Sequence, residues 1–102
     1  MTKDAFLSKV KTSILSFDQN AQVILFGSRA RGDSKVDSDW DFLIITSAPI
    51  DEKNKVEMQK KLYSTELETE EVISPIIYFK EDWEDLSVTP LYQIIKEEGI
   101  RI

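Results

Sequence analysis

The chain has 102 residues, with 13 lysines and arginines against 19 aspartates and glutamates, a formal net charge of −6, and neither cysteine nor histidine. The lack of cysteine excludes a disulfide framework, a thiolate nucleophile and Cys-ligated zinc, and the lack of histidine excludes imidazole acid–base chemistry and the Ser-His-Asp triad. Any catalysis must therefore use carboxylates, hydroxyls, lysine, arginine and a bound metal ion.

The composition is that of an ordinary globular protein, with a hydrophobic fraction of 41% and a charged fraction of 31%. No apolar run approaches the roughly 18 residues of a membrane span, and the polar amino terminus does not resemble a signal peptide. We therefore expect a single domain over residues 1–102, no membrane contact and a cytoplasmic location. The negative charge opposes extended binding to nucleic acid, and positive charge is gathered only at Arg29, Arg31 and Lys35.

The first half of the chain predicts one helix and two strands. Helical spacing indicates a helix over residues 2–17, and the face it buries consists of Phe6, Val10, Ile14 and Phe17. The apolar run Gln22–Phe26 is rich in strand formers and predicts a buried strand that ends at Gly27. A second strand is expected over residues 39–46.

The second half predicts a helix, a strand and a final helix. The charged helix spans residues 51–67, with an apolar side formed by Val56, Tyr63 and Leu67 and with Met58 and Leu62 close to it. The strand over residues 72–79 contains Pro75, which cannot donate to a ladder and therefore favours an edge or bulged position. The final helix begins with the cap Thr89 and Pro90 and is expected to close on a left-handed Gly99. Trp83 is expected to anchor that helix or a partner protein.

The segment that follows the first strand has the features of a phosphate site. Gly27 lets the backbone turn sharply and lets a ligand approach without a β-carbon in the way. If the residues after Ser28 start a helical turn, the free N–H groups there attract an anion, and Arg29 and Arg31 add positive charge. Either arginine is equally compatible with a surface ion pair, so phosphate contact remains open for both.

Asp39 and Asp41 lie two residues apart on the expected second strand. Their side chains therefore point to one face, with α-carbons roughly 6.5 Å apart, while Trp40 points the other way into the core. Two carboxylates so placed suit Mg²⁺, which takes carboxylate oxygens together with substrate phosphates. A phosphate site beside a metal site indicates phosphoryl or nucleotidyl transfer.

Two short motifs carry a resemblance to a known family: a Gly-Ser pair at Gly27 and Ser28, and the pair Asp39-x-Asp41 after ten intervening residues. This arrangement resembles the signature of the minimal nucleotidyltransferases of the DNA polymerase beta-like superfamily. Further similarities are Ala-Arg-Gly at residues 30–32 and Glu-Glu-Gly-Ile at residues 97–100. The resemblance covers nearly the whole chain.

The resemblance implies an α+β fold, a small mixed β-sheet flanked by helices, in the order α-β-β-α-β-α. It implies an NTP as donor, with ATP expected, and two Mg²⁺ ions. Ser28 would contact the triphosphate, and Asp39 and Asp41 would be the catalytic residues and metal ligands. Gly27, Arg29 and Arg31 complete the expected nucleotide-binding site.

The chain departs from the family at a third carboxylate, which relatives place on the following strand. Residues 72–79 contain no acid, and the aligned position is Ser74. Glu68, Glu70 and Glu71 lie just upstream, but a shift of one residue turns a side chain to the opposite face. The metal-binding pair is present and the third acid is not.

Two functions remain open. The first is an active enzyme that transfers NMP, expected to be AMP from ATP, to a hydroxyl and releases pyrophosphate. Here the family implies a protein acceptor, such as the small helical HEPN protein of toxin–antitoxin pairs. The second is a degenerate nucleotidyltransferase that binds a nucleotide or a partner protein without turnover, because the loss of one acid weakens the ion that activates the nucleophile. A purely structural domain leaves the paired motifs unexplained.

Overall fold

The computed structural model describes all 102 residues and contains a four-stranded sheet with helices on both faces. Its elements are α1 (Lys3–Leu15), β1 (Gln22–Phe26), α2 (Ser28–Arg31), β2 (Trp40–Thr46), α3 (Glu52–Thr69), β3 (Ile73–Phe79), α4 (Lys80–Asp85), α5 (Pro90–Glu98) and β4 (Ile100–Arg101). None of these helices has the length and apolar character needed to cross a membrane.

The sheet is mixed, in the order β3-β2-β1-β4. Strand β2 is antiparallel to β1 and parallel to β3, and the short β4 is antiparallel to β1. Strand β3 lies at the edge, as Pro75 predicts, because a residue without an N–H is tolerated where no second neighbour needs it. The expected α+β class with a small mixed sheet is confirmed.

The two faces of β2 enter separate apolar layers. Its even-numbered residues Trp40, Phe42 and Ile44 pack beneath α1 and α3, and its odd-numbered residues Leu43 and Ile45 pack with Trp83 and Ile95 of α4 and α5. Side chains alternate along a strand, so Asp39 and Asp41 fall on the odd face, at the end of the α4 and α5 layer. Burial of Trp40 in the core is confirmed.

Two helices differ from the expectation. Helix α1 ends at Leu15, and Phe17 lies beyond it with 40% of its surface exposed. Helix α3 buries Met58, Leu62 and Thr65, whereas the predicted stripe of Val56, Tyr63 and Leu67 is solvent-exposed. Both stripes have helical spacing, and only docking against α1 and the sheet decides which one is buried.

Two elements were not predicted, α4 and β4. Helix α4 carries acids in its first turn, where the helix dipole favours them, and one buried side chain, Trp83, which stacks on Tyr92 of α5 at 5.0 Å between ring centroids. The expected role of Trp83 as an anchor for the last helix is confirmed. The left-handed cap at Gly99 is wrong: this residue is extended, with φ −65° and ψ 141°, because the chain continues directly into β4.

Candidate functional site

The register between β1 and β2 brings the two halves of the motif together. Phe26, the last residue of β1, lies directly opposite Asp41, near the start of β2. The turn that follows β1 therefore meets the end of the loop before β2, where these two central strands meet one end of the sheet. Residues 27–40 are folded back to create this contact.

Gly27 makes the turn possible. Its φ of 75° and ψ of −159° lie in a region that only glycine adopts readily. A β-carbon on this residue would overlap the Asp41 carboxylate. The missing side chain thus leaves room for the acid and forms one wall of the site.

Residues Ser28–Arg31 form the single helical turn that the phosphate hypothesis requires. The N–H groups of Ala30 and Arg31 both donate to the Gly27 carbonyl at 3.0 Å. The N–H groups of Ser28 and Arg29 precede any intrahelical acceptor and have none. Gly32 closes the turn in the left-handed conformation, with φ 88°.

Asp39 and Asp41 lie on the same side of the sheet and repel each other. Burial raises the pKa of Asp41 above its ordinary value, and the negative charges of Asp39 and Glu98 raise it further, against the opposing effect of Arg31. The hydroxyl of Ser74 donates to Oδ2 of Asp39 at 3.0 Å. A partly buried pair of like charges is favoured by a bound cation.

The donor set suits a hard cation such as Mg²⁺. It offers two carboxylates at a partly exposed edge, and the protein provides no cluster of three or more potential metal-binding side chains there or elsewhere. Mg²⁺ is commonly held by one or two carboxylates, with substrate phosphates and water completing its octahedral shell. Asp39 and Asp41 therefore fit an ion that is shared with a bound nucleotide.

Ser74 occupies the position opposite Asp41 in the parallel ladder with β2. The upstream acids do not replace the missing carboxylate. Glu71 accepts from the Trp40 indole at 3.0 Å, on the other face of β2, and Glu68 pairs with Lys9 of α1. At this position a neutral hydroxyl stands beside the two aspartates.

The two arginines of the motif take different positions. The Arg29 guanidinium stacks on Trp40 at 4.5 Å from the ring centroid, away from the aspartates, and donates to the carbonyls of Val36 and Ser38. Arg31 lies on the aspartate side, where its charge acts on Asp41. Hydrogen bonds from Arg31 to Glu98 and Asp33 raise the pKa of Arg31 above its ordinary value. The sequence could not distinguish the two, because both follow Ser28 in the same polar turn.

Glu98 is a site residue that no sequence argument identified. It belongs to α5, 71 positions from Gly27, yet its Oε1 accepts the Gly27 N–H at 3.1 Å. The similarity to the family at residues 97–100 assigned no role to this side chain. Helical periodicity could not have assigned a role to an acid at the end of a helix.

Comparison with known proteins identifies a family and a relative of this chain. The family model described as a nucleotidyltransferase domain matches residues 7–102. A protein of Methanocaldococcus jannaschii named "Putative protein adenylyltransferase MJ0141" is 42% identical over 74 residues, covering 71% of this chain and 73% of that protein.

Two solved structures share the fold. One, of a toxin-antitoxin with AMP-PNP, has a TM-score of 0.59 and 19% identity, over 89% of this chain and 70% of that one. The other, of a mutant toxin-antitoxin MntA-HpeT, has a TM-score of 0.61 and 16% identity, over 99% of this chain and 72% of that one. At these identities the likeness concerns the fold alone.

Proposed function

Because this chain belongs to the nucleotidyltransferase domain family, we propose that it transfers AMP from ATP to a hydroxyl group of a partner protein. The observation that carries the proposal is the register of β1 and β2. It sets Gly27 against the Asp41 carboxylate, and this closeness supports a site in which the amides of the Ser28 turn bind phosphate and Asp39 and Asp41 bind a metal ion.

Each group has a distinct role in the proposed reaction. The free amides of the Ser28 turn, the Ser28 hydroxyl and Arg31 bind the β- and γ-phosphates. Asp39 and Asp41 would hold Mg²⁺, which would supply positive charge to the phosphates. The acceptor oxygen forms a bond to the α-phosphorus, the bond from that phosphorus to the bridging oxygen breaks, pyrophosphate leaves and the hydroxyl proton is released.

The relatives support the donor and the acceptor. The M. jannaschii relative is named for adenylyl transfer to protein, and one fold neighbour was solved with AMP-PNP. Both fold neighbours come from toxin-antitoxin systems. A small helical toxin of the HEPN type is therefore the acceptor that we propose for this chain.

The test uses ATP labelled in two positions. Purified chain, Mg²⁺ and the protein encoded beside it are incubated with ATP that carries the label on either the α- or the γ-phosphate. We expect only α-label on the partner, and none with Asp39→Asn plus Asp41→Asn. Asp37→Asn, a change at an exposed loop acid outside the site, is the matched control and should leave transfer intact.

A second candidate is a module that binds nucleotide or a partner protein without turnover. It is favoured by Ser74, which stands opposite Asp41 without a carboxylate to bind the ion that activates the acceptor. Binding of Mg²⁺ and ATP without transfer to the partner would support this module. Transfer of the γ-label would contradict both candidates.

A further inference from the structure

The carboxylate of Glu98 lies between the two parts of the proposed phosphate site. Its Oε1 accepts from the Gly27 N–H at 3.1 Å, and Nη1 of Arg31 donates to Oε2 at 3.1 Å and to Oε1 at 3.4 Å. Only 16% of the side chain is exposed. The proposed reaction gives this acid no role.

The backbone on both sides of Glu98 is fixed. The residue ends α5, and the chain then passes Gly99, where a β-carbon would overlap the Ile95 carbonyl and the Ile24 side chain. The next two residues pair with β1, Ile100 opposite Leu25 and Arg101 opposite Ile24. Glu98 is therefore held at the end of β1 by a helix on one side and a ladder on the other.

Arg31 needs such a partner because its side chain is exposed and its charge attracts the Asp41 carboxylate. Its side chain is 48% exposed, and its charge already acts on Asp41. A free guanidinium there would pair with Asp41 and compete with a metal ion for its carboxylate. Glu98 engages Nη1 and Asp33 accepts from Nε at 3.3 Å, which leaves Nη2 for a ligand.

We propose that Glu98 is a positioning residue that holds Arg31 and the Gly27 amide in place for the phosphates of the nucleotide. This inference rests on the proposed function, because the phosphates are those of its ATP. Glu98 acts through these two groups, and it keeps the guanidinium near Asp41 without letting the two form an ion pair.

The first measurement is the affinity of the purified chain for Mg-ATP, by calorimetry. Glu98→Ala should weaken binding about tenfold, the effect of losing charge-assisted hydrogen bonds. Glu98→Gln should recover part of the loss, because its amide oxygen still accepts the Gly27 N–H. Glu97→Ala, which removes an exposed acid without partners from the same helix, is the control and should bind as the unmodified chain does.

A double-mutant cycle separates positioning from general stability. Because Glu98 acts partly through Arg31 and partly through the Gly27 amide, Glu98→Ala combined with Arg31→Ala should lose less affinity than the sum of the two single losses. Losses that add would overturn the inference. Tighter binding by Glu98→Ala would also overturn it, since the acid would then compete with the phosphates for the same donors.

The third measurement needs no nucleotide. In spectra of the free protein, Glu98→Ala should shift the Gly27 amide and Arg31 Nε–H resonances and leave the core resonances dispersed. Unchanged signals at both positions would overturn the inference. If the unmodified chain fails to bind Mg-ATP, the proposed function fails, and these resonances alone decide whether Glu98 sets the position of Arg31.

Discussion

The Asp41 carboxylate occupies the space in which any residue other than glycine at position 27 would place its β-carbon. The close approach of Gly27 and Asp41 joins the turn after β1 to the acid on β2. It also couples the geometry of the proposed phosphate site to that of the proposed metal site. A change at either residue is therefore expected to affect both phosphate binding and metal binding.

Gly27→Ala tests this relationship. The alanine must adopt a backbone conformation that only glycine adopts readily, and its β-carbon overlaps the Asp41 carboxylate. We therefore expect the free energy of unfolding to fall by about 2 kcal/mol or more. Gly32→Ala is the matched control, because Gly32 also has a positive φ but open space around it. Its cost should be about 1 kcal/mol. Chemical denaturation measures both, and equal losses would contradict a steric role for Asp41.

Asp41→Asn should stabilise the metal-free protein at neutral pH. Burial and the charge of Asp39 raise the pKa of Asp41 in the folded state above the ordinary 3.8, so ionisation of this group opposes folding. The advantage of the variant should be full above the folded-state pKa and should shrink as the pH falls through it towards 3.8. Melting temperatures across this range provide the measurement. Mg²⁺ should raise the melting temperature of the unmodified chain and not that of the variant.

At the other end of the sheet, Asp18 should give stability the opposite pH dependence. Burial acts to raise its pKa, but hydrogen bonds from the amide and hydroxyl of Ser47 and the amide of Asn20 outweigh this and lower it. The ionised form therefore stabilises the fold above pH 3.8, and that stabilisation is lost as the pH falls through the lower folded-state pKa. Asp18→Ala should cost about 1 kcal/mol at pH 7 and less near pH 3. A difference that does not change with pH would contradict this account.

Ser74→Asp decides whether the missing carboxylate limits turnover. The unmodified chain should bind Mg-ATP but transfer AMP only slowly to a supplied acceptor. A carboxylate opposite Asp41 would add a ligand for the ion and an acceptor for the attacking hydroxyl, so transfer should rise. Ser74→Ala removes the bond to Asp39 without adding charge and should not gain activity. Fast transfer by the unmodified chain would show that another acid, from this chain or its partner, fills the role.

The two arginines of the motif should separate in a paired experiment. Arg29→Lys loses the planar stacking on Trp40 and the bonds to two loop carbonyls, so it should lower the free energy of unfolding by about 1–2 kcal/mol. Arg31→Lys should change stability little, because Arg31 is half exposed, and weaken Mg-ATP binding several-fold. Denaturation and calorimetry measure the two effects. A stable Arg29→Lys protein that no longer binds nucleotide would instead give Arg29 a direct contact with the phosphates.

The sequence alone determined the elements whose cause is local. The apolar run Gln22–Phe26 and the cap formed by Thr89 and Pro90 predicted β1 and the start of α5, because strand propensity and capping act between neighbouring residues. Alternation along β2 placed Asp39 and Asp41 on the face opposite Trp40. The family was also recognisable, since its Gly-Ser and Asp-x-Asp motifs lie within 15 residues of one another.

The tertiary structure alone decided the features that depend on distant partners. Which stripe of α3 is buried follows from docking on α1, and the extended Gly99 follows from pairing of β4 with β1. The separation of Arg29 from Arg31 depends on Trp40 and Glu98, which lie on opposite faces of the sheet. Glu98 enters the site from 71 residues away because the end of α5 and the end of β1 meet in space, and no local pattern encodes that meeting.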